Sequence, residues 1–161
     1  MIVVRDASPA DHDAIWQILE PVIPAGETYA LPRDLTKEQC LAYWFGAGHR
    51  VFVAVEGMRL VGTYFLCANY QGGGAHVANC GYMTANEAAR RGVATAMCEH
   101  SLEEARKSGF RAMQFNFVVS TNERAIRLWH RLGFEVVGRL TEAFLHPNLG
   151  YVDALVMHRK L

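Results

Sequence analysis

Residues 79–97 read NCGYMTANEAARRGVATAM. A strand-like run ends in Gly81-Tyr82-Met83-Thr84, and Arg90-Arg91-Gly92-Val93-Ala94 follows at the mouth of a helix. Beyond it come a second strand, Arg111 to Val119, a second helix and Leu132-Gly133-Phe134. This order gathers small residues, free backbone N–H groups and a positive helix end at one spot between two strands. A helix opening carries unpaired donors and about half a unit of positive charge, so it binds pyrophosphate-like anions without a metal. Gly92 and Ala94 keep side-chain bulk away from that opening, Val93 and Thr95 share its first turn, and Arg90 and Arg91 add charge. The site expected is one for a large phosphorylated cofactor. Taken alone the motif also fits an ordinary capped helix start, because Thr84-Ala85-Asn86-Glu87 matches the capping-box pattern.

Working outward, Ile2 to Arg5 reads as a short strand, and Ser8-Pro9-Ala10-Asp11 supplies an N-cap and a first-turn proline for a helix running to about Leu19. Pro21 to Asp34, with three prolines and Gly26, predicts an exposed loop. Thr36-Lys37-Glu38-Gln39 caps a second helix, and Arg50 to Val55 with Leu60 to Leu66 form a hairpin across Glu56-Gly57-Met58-Arg59. Gln71-Gly72-Gly73-Gly74 turns the chain into a strand from Ala75 to Thr84. Apolar residues at helical spacing carry a helix from about Gly92 to Ser108, ended by Gly109. Ser120-Thr121-Asn122-Glu123 reads as a capping box for the next helix. Strands Phe134 to Arg139 and Tyr151 to His158, with His146 to Gly150 as a turn between them, finish the chain.

The class is α/β, with a mixed, mostly antiparallel sheet. One helical crossover makes Ala75–Thr84 and Arg111–Val119 parallel. At 161 residues and 51% hydrophobic content the chain suits one domain, residues 1–161. Sixteen basic residues balance sixteen acidic ones without a long run of either sign. Neither a nucleic-acid groove nor a membrane surface is expected. The four cysteines, Cys40, Cys67, Cys80 and Cys98, form no C-x-x-C pair and lie in apolar or helical runs, as buried thiols of a cytoplasmic protein do. The first residues lack a basic segment followed by an apolar one, and no apolar run reaches membrane-spanning length.

Ala89-Arg90-Arg91-Gly92-Val93-Ala94 resembles the Gln/Arg-x-x-Gly-x-Gly/Ala fingerprint of the GCN5-related N-acetyltransferase superfamily, with Ala89 in place of the usual Gln or Arg. Asn122, Ala125, Leu128, Trp129 and Gly133-Phe134 resemble a second block of that superfamily, Asn-x-x-Ala-x-x-Leu-Tyr-x-x-x-Gly-Phe. The resemblance implies helices on both faces of the sheet and a parallel strand pair that splays to hold acetyl-CoA. It also implies direct attack of an amine in a ternary complex, no metal, and pairing with a second copy of the chain. By the same resemblance Tyr82, Met83 and Thr84 face the acetyl and pantetheine groups, and Arg90 to Thr95 hold the pyrophosphate.

Such a site must bring a neutral amine within about 3 to 3.5 Å of a thioester carbonyl and stabilise the oxyanion. Trp129 stands where the family has a tyrosine; its indole N–H is no practical acid, and a core aromatic is the other reading. Asn79 and Asn116, amides within strands, can orient an uncharged amine or hold a carboxylate. With Asn122, they resemble residues of the fungal proline-analogue N-acetyltransferases, which act on azetidine-2-carboxylate and related cyclic amino acids. Carried over, Asn79 binds the amine, Asn116 the carboxylate and Asn122 the cofactor arm. Each asparagine has a plainer reading: a cap for Asn122, a satisfied bulge for Asn79 or Asn116. Thr28 and Tyr29, in the proline-rich segment, are candidates to close over a small substrate, with Glu27 as a distant base or a solvated side chain. His76 and Cys80 share a strand face without further metal ligands. The expected function is acetyl transfer to a small amine, an amino acid or analogue. Acetylation of a protein amine and a non-catalytic CoA sensor are the alternatives.

Overall fold

A computed structural model describes all residues from Met1 to Leu161. The chain forms strands β1 (Ile2–Asp6), β2 (Arg50–Glu56), β3 (Arg59–Ala68), β4 (Val77–Thr84), β5 (Ala112–Val119), β6 (Glu135–His146) and β7 (Gly150–Lys160). Its α-helices are α1 (His12–Val22), α2 (Lys37–Trp44), α3 (Val93–Lys107) and α4 (Glu123–Arg131). The strands make one sheet in the order β1-β2-β3-β4-β5-β7-β6. Every neighbouring pair is antiparallel except β4 and β5.

That parallel pair is brief. It joins Val77 to Ala112 and Ala78 to Met113, and no pairing follows although both strands continue for six more residues. The sheet therefore opens between Asn79–Thr84 and Gln114–Val119, with α3 as the crossover.

Close approach of α3 to the sheet depends on Gly62. A Cβ there would meet Cγ1 of Val93 at 2.7 Å and the Met97 sulfur at 2.9 Å. Val93, Met97, Cys98, Leu102 and Ala105 bury the inner stripe of the helix, as their spacing predicts. On the opposite face, Trp44 of α2 is fully buried, stacks edge-on to Phe65 at 5.0 Å and donates its Nε1–H to the Thr63 hydroxyl at 3.0 Å.

Several sequence expectations need correction. Helix α1 runs past Leu19 to Val22 despite Pro21, because Ile23 continues the buried stripe of Ile15, Ile18 and Leu19 and closes the end with an N–H bond to the Leu19 carbonyl. The segment after it is not uniformly exposed, since Ile23 and Gly26 are buried and Thr28, Tyr29 and Leu31 are half-buried. The cap of α4 is Asn122, accepting from the Ala125 N–H, and not Ser120. Ser120 still bonds through its N–H to the Asp153 carbonyl, so the chain leaves the sheet later than the box pattern predicts. Thr84–Glu87 caps no α-helix; a short 3-10 turn over Asn86–Ala88 follows, and α3 opens at Gly92. Strand β4 starts at Val77, which leaves His76 outside it and ends the pairing of faces expected with Cys80. Strand β6 extends beyond Arg139 to His146, carried through a bulge at Glu142 (φ 49°) that Asp153 holds from β7 by accepting the Glu142 N–H at 2.9 Å. The Thr36–Gln39 capping box forms as read.

Candidate active site

A cleft of about 800 Å³ occupies the opening between β4 and β5. Its walls include Thr28, Tyr29, Asn79, Asn116 and Asn122, together with the ends of β4 and α3.

The β4 wall follows from strand register. Ala85 donates to the Val61 carbonyl and Asn69 to the Val77 carbonyl, so odd-numbered residues of β4 turn their backbone groups toward β3. Cys80, Tyr82 and Thr84 turn theirs the other way, into the gap that β5 has left. The N–H of Tyr82 thus faces the cleft, whereas that of Met83 belongs to the ladder with Thr63. Met83, expected from the resemblance to face the cofactor, therefore contributes its buried side chain to the wall and not its backbone N–H.

At the helix opening, Arg90 (φ 66°) and Gly92 (φ 82°) are both left-handed. A non-glycine residue held there stores strain of about 1–3 kcal/mol. No backbone acceptor takes the N–H groups of Gly92, Val93, Ala94 or Thr95; the first closed bond of the helix runs from Ala96 to the Gly92 carbonyl. Their donors converge at the positive end of a 15-residue helix, and Arg90 stands beside them on the cleft wall. Arg91 is not part of that wall. Its guanidinium is ion-paired with Glu56, while Arg59 at the other end of the same hairpin turn holds Glu87 at 2.7 Å. Across the cleft, α4 contributes two further cations absent from the sequence-based candidates, Arg124 and Arg131. No Asp, Glu or His lines the cleft, and exposed Glu27 lies outside it. This donor set, three arginines and a run of free N–H groups, suits a polyanionic cofactor.

The opposite half of the cleft is built from side chains. Residues of β4 alternate: the Tyr82 hydroxyl meets Ser101 on α3 at 2.7 Å, while a Cβ on Gly81 would strike the Phe65 ring at 2.5 Å on the other face. Asn79 has the parity of Gly81, and its amide makes no hydrogen bond within the protein. The parallel register puts Gln114 and Asn116 on that same face. Asn116 and Phe117 together oppose the single residue Val156 of β7, a bulge that breaks the ladder beside the cleft. The Asn116 amide is engaged with Asn69 and Gln114, two residues that sequence reasoning did not single out.

Tyr29 crosses to this wall from the proline-rich segment and donates its hydroxyl to the Tyr82 carbonyl at 2.9 Å. Burial pushes its phenol above the ordinary range, so it remains a donor. Thr28, Tyr43 and Phe65 complete the surface. On the α3 side, Trp129 packs against Tyr82 at 5.2 Å and Phe115 at 4.9 Å. Burial raises the thiols of Cys80, which borders the cleft, and of Cys98, the latter to about 12. No helix is long and apolar enough to cross a membrane, and no three His, Cys, Asp or Glu side chains converge as a metal would require.

Comparison with known proteins agrees with this construction. The pattern of the Acetyltransferase (GNAT) family matches residues 13–134. N-acetyltransferase aca1 of Schizosaccharomyces pombe is 28% identical over 151 residues, spanning 83% of this chain and 72% of that protein. A GCN5-related N-acetyltransferase from Kribbella flavida superposes with a TM-score of 0.94 at 44% identity, over 99% of this chain and 98% of that one. The Salmonella typhimurium protein yncA, solved with its cofactor acetyl-CoA, shares the fold at a TM-score of 0.87 and 22% identity, over 100% and 94% of the two chains. With the splayed strands, the open helix N-terminus and the family pattern in agreement, the chain belongs to the GNAT acetyltransferase family and is an acetyl-CoA-dependent N-acetyltransferase.

Proposed function

We propose that the acceptor is the amine of a small molecule, an amino acid or analogue such as a cyclic amino acid, acetylated by direct attack in a ternary complex. One observation carries the reading: the acceptor half of the cleft offers neutral amides and aromatic rings, and no carboxylate lines it. A polycationic tail or a polyamine finds no counter-charge there, whereas a carboxylate finds amide N–H donors.

In this reading the first turn of α3, with Arg90, holds the pyrophosphate of acetyl-CoA, and the Asn122 amide contacts its arm. When bound, acetyl-CoA supplies the activated acetyl group and a thiol leaving group. The Tyr82 N–H polarises the carbonyl, Asn79 orients the attacking amine, and Asn116 holds the carboxylate. Thr28 and Tyr29 close the acceptor side. Because no lining side chain is a carboxylate or imidazole, the amine proton leaves through water. A cytoplasmic setting is supported by the four free thiols. Self-association is supported by the outermost strand β6, which leaves Val137 and Leu145 exposed.

The test is thiol release from acetyl-CoA with proline, azetidine-2-carboxylate, other amino acids, their decarboxylated amines, polyamines and lysine peptides. Turnover concentrated on carboxylate-bearing small amines is the expected result. Activity confined to peptides or polyamines would overturn the assignment, and acetyl-CoA binding without turnover on any acceptor would favour a sensor.

A further inference from the structure

We propose that Asn69 is a positioning residue of the acceptor site, one that with Gln114 holds the Asn116 amide in place beside the cleft and so supports selection of a carboxylate on the substrate. The inference rests on the reading of Asn116 as the carboxylate contact.

Asn69 lies one residue beyond the end of β3 and is itself anchored, its N–H donating to the Val77 carbonyl at 2.8 Å. Opposite residues of a ladder share a face, so its side chain emerges on the side of Val77, Asn79 and Gly81. There it exchanges two hydrogen bonds with Asn116. The Asn69 Nδ2 donates to Oδ1 of Asn116 at 3.1 Å, and Nδ2 of Asn116 donates back to Oδ1 of Asn69 at 2.5 Å. Gln114 Nε2 adds a third bond to Oδ1 of Asn116 at 3.0 Å.

The accounting of donors and acceptors gives the consequence. An amide oxygen has two lone pairs and an amide nitrogen two hydrogens. Both acceptor positions of Asn116 are occupied and one hydrogen is given to Asn69, which leaves a single N–H for the cleft. In this arrangement Asn116 meets a ligand as a donor. A carboxylate satisfies that donor, and an ammonium group does not.

Asn116 has particular need of such a brace. It sits in the bulge where the ladder between β5 and β7 is broken, and the last torsion of an asparagine is broad and roughly two-fold. Without partners the amide would swing about that torsion and lose its place beside the cleft. Asn69 does not line the cleft, so it acts through Asn116.

Two variants test the assignment, Asn69→Ala, which removes both bonds, and Asn69→Asp, which keeps an acceptor for Asn116, loses the donor and adds negative charge. The readout is the ratio of kcat/KM for an amino acid to that for its decarboxylated amine, with KM for acetyl-CoA and the melting temperature measured alongside. A folded Asn69→Asp enzyme should lose about tenfold or more of that ratio, the scale of one charge-assisted hydrogen bond, and Asn69→Ala should raise the amino-acid KM with little change in kcat. KM for acetyl-CoA should stay within about twofold, since Asn69 is remote from the helix opening. A wild-type preference for the carboxylate that survives unchanged in both folded variants overturns the role of Asn69 and leaves the acceptor reading intact. Equal losses on both acceptors overturn it as well, as a mere tie between strands. A wild-type enzyme indifferent to the carboxylate overturns the acceptor reading itself, and this inference with it.

Discussion

The two halves of the cleft are made of different material. On the cofactor side the chemistry belongs largely to the backbone: in the proposed reading the free N–H groups of Gly92 to Thr95 and of Tyr82 meet the cofactor, with Arg90, Arg124 and Arg131 beside them. On the acceptor side Asn79 and Gly81 give their backbone groups to the β3–β4 ladder, and in the same reading recognition passes to the side chains of Tyr29, Asn79 and Asn116, drawn from three separate segments. A backbone site tolerates any residue that fits its dihedral angles. A side-chain site depends on each residue's identity and on whatever holds it in place.

The difference can be broken most forcefully at Gly92. Valine there must adopt a left-handed conformation that costs L-residues about 1–2 kcal/mol and β-branched ones more, or else pull the loop away from it. Either outcome turns the donors aside. KM for acetyl-CoA should rise by about a hundredfold in Gly92→Val, the combined scale of that strain and one charge-assisted hydrogen bond, with the acceptor KM nearly unchanged. Steady-state kinetics with each substrate varied in turn decides it, and an equal rise in both KM values would mean that the two halves are not separable.

A smaller effect is expected from the opposite wall. Tyr29→Phe removes one hydrogen bond to the Tyr82 carbonyl, worth about 1 kcal/mol, and should lower kcat/KM for the acceptor by about fivefold while sparing acetyl-CoA. A change confined to acetyl-CoA would place Tyr29 with the wrong half.

The smallest effect sharpens the cofactor side alone. Glu56 tethers Arg91, and Arg59 tethers Glu87, so the β2–β3 hairpin clasps both ends of the loop that leads into α3. These are exposed pairs, each worth less than about 1 kcal/mol. Glu56→Gln should raise KM for acetyl-CoA by about two- to threefold at low salt, and the difference should vanish as ionic strength rises. A salt-independent change would point to packing instead of charge.

The same division explains what could be read from the chain. The cofactor half is local: strand end, glycine and helix opening lie within twenty residues or so, and their order alone predicted the parallel pair and its crossover. What that order did not reveal was which way side chains and backbone groups point. Arg91 turns to Glu56 on the β2–β3 hairpin, and Met83 gives its N–H to β3 because register across the sheet decides its direction. The acceptor half is assembled over long separations. Tyr29 meets Tyr82 across 53 residues and Asn69 meets Asn116 across 47, so neither contact leaves a pattern in any short window. The bulge at Asn116 and Phe117 arises from a mismatch with β7, which follows them by more than thirty positions. Periodicity reports faces; it cannot report partners.

The buried cysteines bear on a hazard peculiar to this reaction. Every turnover liberates a free thiol in a cleft that has Cys80 on its border and Cys98 behind it. Capture of an acetyl group from the thioester by the protein itself requires a thiolate on the attacking side. Burial raises both thiols, which favours their protonated form and disfavours transfer of the acetyl group to the enzyme's own sulfur.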